Sequence, residues 1–144
     1  LPAEVPGMAL APGELWIRKA VVGGEHLVTR VADLEGFDLP ARGREQRFHP
    51  AIAPKGANAN FVAAPAAPDG PWRIRTYERG VEGETLACGT GACAATVASV
   101  LNGKTDRCVT VHLLGGDLEV EWAADEHVYL TGPAVEVFRG EWPD

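Results

Sequence analysis

Residues 75–104 read RTYERGVEGETLACGTGACAATVASVLNGK, and this segment decides the fold because it holds the one long run that suits a helix. The run ACAATVASVLNG, at 92–103, has Thr90 in position to cap its start and Gly103 in position to end it. It is built from small residues and is apolar nearly all round, so the helix is predicted to be buried. The rest of the chain must therefore cover a central helix.

Short strand patterns lie on both sides of this helix. Most of them alternate apolar and polar residues with a period of two, as half-buried strands do. Gly115-Gly116 is predicted to form a tight hairpin turn, and the segment 35–59 is irregular with at most one turn of helix before Pro50. The predicted strands are 14–22, 26–31, 60–64 and 71–80 before the helix and 108–114, 117–122, 127–132 and 134–140 after it.

This order of elements predicts an α+β fold in a single domain that spans residues 1–144. A mostly antiparallel twisted sheet or barrel of about eight strands would wrap around one buried central helix. With 46% hydrophobic residues, the chain has enough apolar side chains for a real core.

Charge and hydropathy narrow the classes of partner. The chain has 13 Lys and Arg against 20 Asp and Glu, and the cations are scattered, so neither nucleic acid nor an anionic membrane is expected as a partner. No apolar run approaches the length of a membrane span of about 18 residues, and residues 1–16 lack the pattern of a signal peptide. A cytoplasmic location is expected. Leu1 is not a methionine, which leaves open that the numbering begins inside a longer chain.

The three cysteines are Cys88, Cys93 and Cys108. An odd count without framework spacing predicts free thiols rather than disulfides. Cys88 and Cys93 do not have the paired spacing of zinc ligands, so no metal is expected. Cys93 lies within the apolar helix and Cys108 leads a strand, and both fit structural roles.

Cys88 is different because it stands at the predicted helix start beside two glycines. Unpaired backbone N–H groups there supply the positive potential that favours a thiolate. Gly89 and Gly91 have no side chains, so an anionic group can approach those N–H groups closely. One loop would then present a thiolate beside a carboxylate cradle, meaning a set of backbone N–H donors that can bind a carboxylate group. This arrangement suits chemistry at the carbon next to a carboxylate.

Other polar residues are candidates for the same site. Glu78 could hold a substrate ammonium group or tune a proton transfer, and Arg79 could bind a carboxylate through two hydrogen bonds. His26 follows a glycine-rich loop and is by itself as compatible with surface or core as with function. Asn58 and Asn60 are equally compatible with turn residues.

The stretch YERGVEGETLACGTGACAAT resembles the C-terminal catalytic signature of diaminopimelate epimerase, a cofactor-independent amino-acid epimerase. The segments GGEHLVTRVADL, HPAIAPKGANANFV, LLGGDLEVEW and VYLTGPAVEVFRGEW follow in the order of that family's C-terminal half. The resemblance covers nearly the whole chain from about Val21 onward, and the long signature is far more specific than a lone Gly-x-Gly.

The resemblance implies a reaction and a set of roles. The family inverts the α-carbon of LL-diaminopimelate to the meso form, with one cysteine on each face of that carbon and no cofactor. Each half of the protein, a sheet around a central helix, supplies one cysteine. The matching positions imply three catalytic residues: Cys88 as the C-terminal cysteine, Glu78, which also contacts the substrate and assists proton transfer, and His26 near the reacting centre. They also imply Gly89 and Thr90 as backbone donors to the substrate α-carboxylate, and Arg79 and Asn58 as substrate-binding residues.

Three features depart from the family pattern. Gly24-Glu25-His26 replaces an Asn-Pro-His-like element, ERGVEGET is one residue longer than the usual spacing, and no second CGNG-like loop is present. The N-terminal half-domain is therefore expected to be a missing partner, in addition to the amino-acid substrate and a possible second copy in a homodimer.

Three alternatives remain at this stage. A proline racemase-like isomerase would keep the fold and change the amino acid. A non-catalytic amino-acid-binding module would keep only the carboxylate cradle. A thiol hydrolase that uses Cys88 and His26 has no further oxyanion-stabilising group outside the same loop.

Overall fold

The computed structural model describes residues 2–68 and 70–143, which form eight strands, two α-helices and one short 3-10 helix. The strands are β1 Glu14–Val21, β2 Glu25–Val31, β3 Asn58–Ala63, β4 Trp72–Glu78, β5 Gly83–Thr85, β6 Cys108–Leu113, β7 Gly116–Trp122 and β8 Val128–Thr131. The helices are α1 Leu39–Arg47 and α2 Gly89–Leu101, and the 3-10 turn is Pro50–Ile52. None of these helices has the length and apolar character needed to cross a membrane.

The strands form one sheet in the order β1-β2-β3-β4-β6-β7-β8, and β5 pairs with β4 off this path. The pairs β2–β3 and β4–β6 are parallel, and the other pairs are antiparallel. Parallel neighbours need a crossover connection, and each of these two crossovers carries one α-helix. The predicted α+β fold with a mostly antiparallel sheet is confirmed.

Helix α2 lies at the centre of the main core. It contacts β1, β2 and β3 as well as β7 and β8, so the sheet curls around it from both ends. Its small residues are buried continuously from Gly91 to Ser99 and allow the strands to approach closely. The core around it includes Val28, Val62, Ile74, Val111, Leu113 and Val120. The prediction of a buried central helix is confirmed.

The prediction of a single helix is wrong, because 35–59 contains the nine-residue helix α1. Asp38 caps α1 through Oδ1, which accepts the N–H of Ala41 at 3.2 Å. Gly43 allows the helix to approach Tyr77, since a Cβ at that position would lie 2.5 Å from the Tyr77 Cβ. The sequence of α1 is too polar to reveal it by periodicity, and contacts with the sheet stabilise it instead.

The predicted strand at 134–140 is also wrong. Val135, Val137 and Phe138 are 82%, 84% and 80% exposed, and within the described residues this segment pairs with no strand. An alternating pattern makes a strand only where a neighbouring edge supplies hydrogen bonds, and the described chain brings none to this segment.

Two predicted boundaries shift and one is confirmed. Helix α2 begins at Gly89 with Cys88 as its N-cap residue, so Thr90 is not the cap. The β6–β7 turn is Leu114-Gly115, because Gly116 already pairs with Leu113. Gly103, at φ +64°, ends α2 as predicted: its N–H donates to Val100 O, and the next N–H donates to Ser99 O.

Candidate active site

Cys88 occupies the junction between an extended segment and the first turn of α2. Its backbone is extended, at φ −132° and ψ 99°, and no side chain caps the helix. Its sulfur lies 3.9 Å from Oγ1 of Thr90, and the nearby backbone N–H of Gly91 acts to lower the pKa of the thiol. The N–H groups at the start of a helix have no partner within the helix, so those of Gly89 and Thr90 remain available to an anion.

The Cys88 thiol is largely buried, with the residue 8% exposed. Burial raises the pKa of this thiol above its ordinary value, and the charge of Glu78 acts in the same direction. The hydrogen bonds from Gly91 and Thr90 lower the pKa but do not outweigh burial. The resting group is therefore the protonated thiol, not the thiolate expected from the helix start alone.

Gly89 and Gly91 are required by packing as well as by access. A Cβ at Gly89 would lie 2.9 Å from Cδ2 of Leu130 on β8. A Cβ at Gly91 would collide with Oδ1 of Asn60 and lie 3.1 Å from the sulfur of Cys88. The loop is thus pressed against the strands, and its backbone approaches them more closely than any side chain would allow.

Glu78 and Arg79 follow directly at the end of β4. Within the described residues neither side chain makes an ion pair or a hydrogen bond, whereas Arg75 of the same strand binds Glu84 through two contacts of 2.6 and 2.8 Å. The charge of Glu78 acts to raise the pKa of the Cys88 thiol, as a smaller cause beside burial. The site therefore offers one carboxylate and one guanidinium without protein partners.

Asn58 lies at the first position of β3, not in a turn. Its Oδ1 accepts the backbone N–H of Arg79 at 2.8 Å, and its Nδ2 donates to the carbonyl of Glu25 at 3.4 Å. The carboxamide thereby ties the end of β4 to the start of β2. One N–H of Nδ2 remains for a ligand.

His26 lies beneath the Cys88 loop and is 0% exposed. Its Nε2 is 3.2 Å from the carbonyl of Val22, so Nε2 carries the hydrogen, and Nδ1 accepts from Nδ2 of Asn60 at 3.2 Å. Burial lowers the pKa of His26, and the charge of Arg79 adds to this effect against the opposing influence of Val22 and Glu78. The imidazole is neutral, and protein groups occupy both nitrogens.

The structure thus brings Cys88, Gly89, Thr90, Glu78, Arg79 and Asn58 to one end of the sheet and places His26 one layer below them. Cys93 is buried in the core and Cys108 is exposed at the start of β6, and all three cysteines are free, as predicted. No group of three or more His, Cys, Asp or Glu side chains in residues 2–68 and 70–143 is arranged to hold a metal ion.

Sequence reasoning left Asn60 undecided between a turn residue and a site residue, and the structure shows it fully buried in contact with both His26 and the Cys88 loop. The signal was present in the spacing, because residues two apart on a strand share a face of the sheet. Once Asn58 is assigned to the site, Asn60 follows on the same face.

The fold is similar to that of several solved structures. A phenazine biosynthesis protein of the PhzF family from Enterococcus faecalis aligns with a TM-score of 0.53 at 14% identity, over 72% of this chain and 35% of that one. A putative phenazine biosynthesis PhzC/PhzF protein from Clostridium difficile aligns with a TM-score of 0.52 at 18% identity, over 72% and 36%. At such identities the likeness shows the fold alone, an α+β fold in which a curled sheet surrounds a helix.

Sequence comparison shows the family to which the chain belongs. The profile of diaminopimelate epimerase matches residues 19–137, and the chain belongs to this family. It is 47% identical over 133 residues to the diaminopimelate epimerase of Moorella thermoacetica, and the alignment covers 91% of this chain and 46% of that protein. It is 46% identical over 144 residues to the diaminopimelate epimerase of Pelotomaculum thermopropionicum, and this alignment covers 99% of this chain and 50% of that protein. The chain therefore spans about half the length of the curated relatives it matches.

Proposed function

We propose that this chain is the C-terminal catalytic half of a cofactor-independent epimerase that converts LL-diaminopimelate to the meso form. The observation that carries the proposal is the set of groups around Cys88. A thiol lies at a helix start with free N–H groups, and an unpartnered carboxylate and guanidinium stand beside it. These groups complement the carboxylate and ammonium groups around the α-carbon of an amino acid.

The proton balance assigns Cys88 a role in each direction. In the direction that begins with the resting thiol, a base on the opposite face removes the α-proton, and Cys88 delivers its S–H proton to the other face of the carbanion. The configuration inverts, Cys88 becomes a thiolate, and the opposite base becomes protonated. In the reverse direction the Cys88 thiolate removes the proton.

The neighbouring groups position the substrate. The N–H groups of Gly89 and Thr90 receive the α-carboxylate, Arg79 binds a carboxylate, and the free N–H of Asn58 donates to the substrate. Glu78 holds the ammonium group and assists the proton transfer, because its charge reaches the thiol. His26 supports the loop from beneath and does not exchange the proton itself, since both of its ring nitrogens are engaged.

The second acid/base group comes from an N-terminal half-domain. Cys93 is in the core and Cys108 leads a strand elsewhere, so among the described residues neither is placed to face Cys88 across a substrate. The span of about half of the relatives' length supports a second half, and the exposed apolar segment 135–142 offers a surface for it to cover. Such an enzyme serves lysine biosynthesis in the cytoplasm.

The substrate is tested by proton exchange in the full-length protein. In D2O, LL-diaminopimelate should acquire deuterium at the α-carbon as the meso form appears, and residues 1–144 alone should catalyse no exchange. Proline and hydroxyproline serve as controls for the racemase alternative. This alternative remains open because Gly24-Glu25-His26 departs from the family pattern. Exchange of proline without exchange of LL-diaminopimelate would contradict the assignment, and binding without any exchange would favour a non-catalytic module.

A further inference from the structure

We propose that Asn60 is a positioning residue for Cys88, because its buried carboxamide braces the first turn of α2 against the neighbouring strands. The inference rests on the function proposed above, in which Cys88 exchanges a proton with the substrate. It concerns a residue that makes no contact with the substrate and acts through the backbone of Gly91.

The carboxamide of Asn60 is fixed on three sides. Its Oδ1 accepts the hydroxyl hydrogen of Thr76 on β4 at 2.9 Å. Its Nδ2 donates to the carbonyl of Leu27 at 2.9 Å and to Nδ1 of His26 at 3.2 Å, both on β2. These bonds use both N–H groups of a side chain that is 0% exposed, so the carboxamide has one orientation.

This fixed group is the surface against which Gly91 rests. A Cβ placed on Gly91 would lie 3.2 Å from Cγ of Asn60 and 3.1 Å from the sulfur of Cys88. The backbone of Gly91 is thus held between the carboxamide and the thiol. Because the carboxamide and the sulfur both pack against this glycine, the position of Asn60 determines where the first turn of α2 places the thiol.

A second contact joins the same network to Thr90. The ring of His26 links Asn60 to the carbonyl of Val22, which opens the β1–β2 turn. Gly23 in that turn has φ +62°, and a Cβ there would lie 2.8 Å from Cγ2 of Thr90. Asn60 therefore supports the first turn of α2 directly at Gly91 and, through His26, at Thr90.

The test compares Asn60→Ala with a matched control in the full-length protein. Thr29→Val is the control because Thr29 is also fully buried on β2 but pairs with Gln46 of α1, away from Cys88. Asn60→Ala should lower kcat for α-proton exchange by about 10-fold or more and change KM by less than about threefold, because substrate-binding groups remain while the thiol is displaced. Thr29→Val should change neither kcat nor KM, although it should lower the thermal stability by a similar amount.

The alkylation rate of Cys88 tests this inference independently of the proposed function, because it requires no enzymatic activity. Alkylation by iodoacetamide, mapped by peptide mass, should become at least about threefold faster at Cys88 in Asn60→Ala, because local opening of the first turn increases. Cys93 in the same helix is the internal reference for global unfolding, and its rate should not rise in parallel. If the protein has no epimerase activity but Cys88 alkylation responds in this way, the function fails and the positioning role stands.

Two results would overturn the positioning role. One is an unchanged kcat together with unchanged Cys88 alkylation in Asn60→Ala, and the other is an equal response in Thr29→Val. If Asn60→Ala does not fold, Thr76→Val replaces it. This near-isosteric change frees Oδ1 of Asn60 and should move both readouts in the same direction by a smaller factor.

Discussion

Gly91 combines two constraints that are separate in most helices. A Cβ on this glycine would lie 3.1 Å from the Cys88 sulfur and would collide with Oδ1 of Asn60. In an ordinary helix interior, alanine is more favourable than glycine by about 1 kcal/mol. At this position the collision with a fixed carboxamide reverses that preference.

Gly91→Ala should therefore lower the free energy of unfolding by about 1–3 kcal/mol, the usual cost of overpacking, and reduce proton exchange. Gly24→Ala is the matched control, because no atom lies within 4 Å of a Cβ at that position. Urea unfolding of both variants checks the difference. A Gly91→Ala protein as stable as the parent would show that Asn60 does not hold the turn.

The sequence predicted the location of Cys88 but not its protonation. A cysteine beside glycines at a helix start is a local pattern that the chain itself displays. The raised pKa depends on burial and on Glu78, which come to Cys88 only through tertiary packing. The spacing of Asn60 from Asn58 indicated the face of the sheet on which it lies, but its contacts could not be predicted, since its partners lie on β2 and β4 and are distant in sequence.

At the scale of elements, a buried ion pair adds to the packing that holds α1 against the sheet. Arg42 binds Glu14 of β1 through Nε and Nη2 at 2.7 and 2.8 Å, and the Glu14 side chain is 0% exposed. This carboxylate also accepts the N–H of Ala11 at 2.8 Å. A buried carboxylate left without its cation is strongly unfavourable.

Arg42→Ala is expected to destabilise the protein by about 3–5 kcal/mol, because it leaves the Glu14 charge uncompensated. Arg73→Ala is the control, since its partner Glu35 is 80% exposed and an exposed pair contributes about 1 kcal/mol or less. Equilibrium urea unfolding at neutral pH measures both. Equal losses in the two variants would contradict the buried-pair account of how α1 is attached.

The strands around α2 could be predicted because alternation is a property of each segment alone. Helix α1 could not, because LPARGREQR has a single large apolar residue and its stability comes from Leu39, Gly43 and Gln46 against the sheet. The segment 134–140 shows the opposite error. It has the alternation of a strand, but no edge in the described chain pairs with it.

At the scale of the whole molecule, the groups of the candidate site all lie at one end of the sheet. In the proposed function, the groups at one end of the sheet would approach a substrate from one side, and inversion of a carbon requires groups on both sides. The chain supplies a thiol, a carboxylate cradle and two unpartnered charges on a single face. The proposed second half would add the opposing base and exclude water from the carbanion.

The most direct measurement is α-proton exchange of LL-diaminopimelate in D2O by the full-length protein, with Cys88→Ala compared with Cys108→Ala. If Cys88 exchanges the proton as proposed, its loss should reduce exchange by at least about 100-fold, whereas loss of the exposed thiol on β6 should leave exchange unchanged. Exchange at the parental rate in Cys88→Ala, or its loss in Cys108→Ala, would contradict the account.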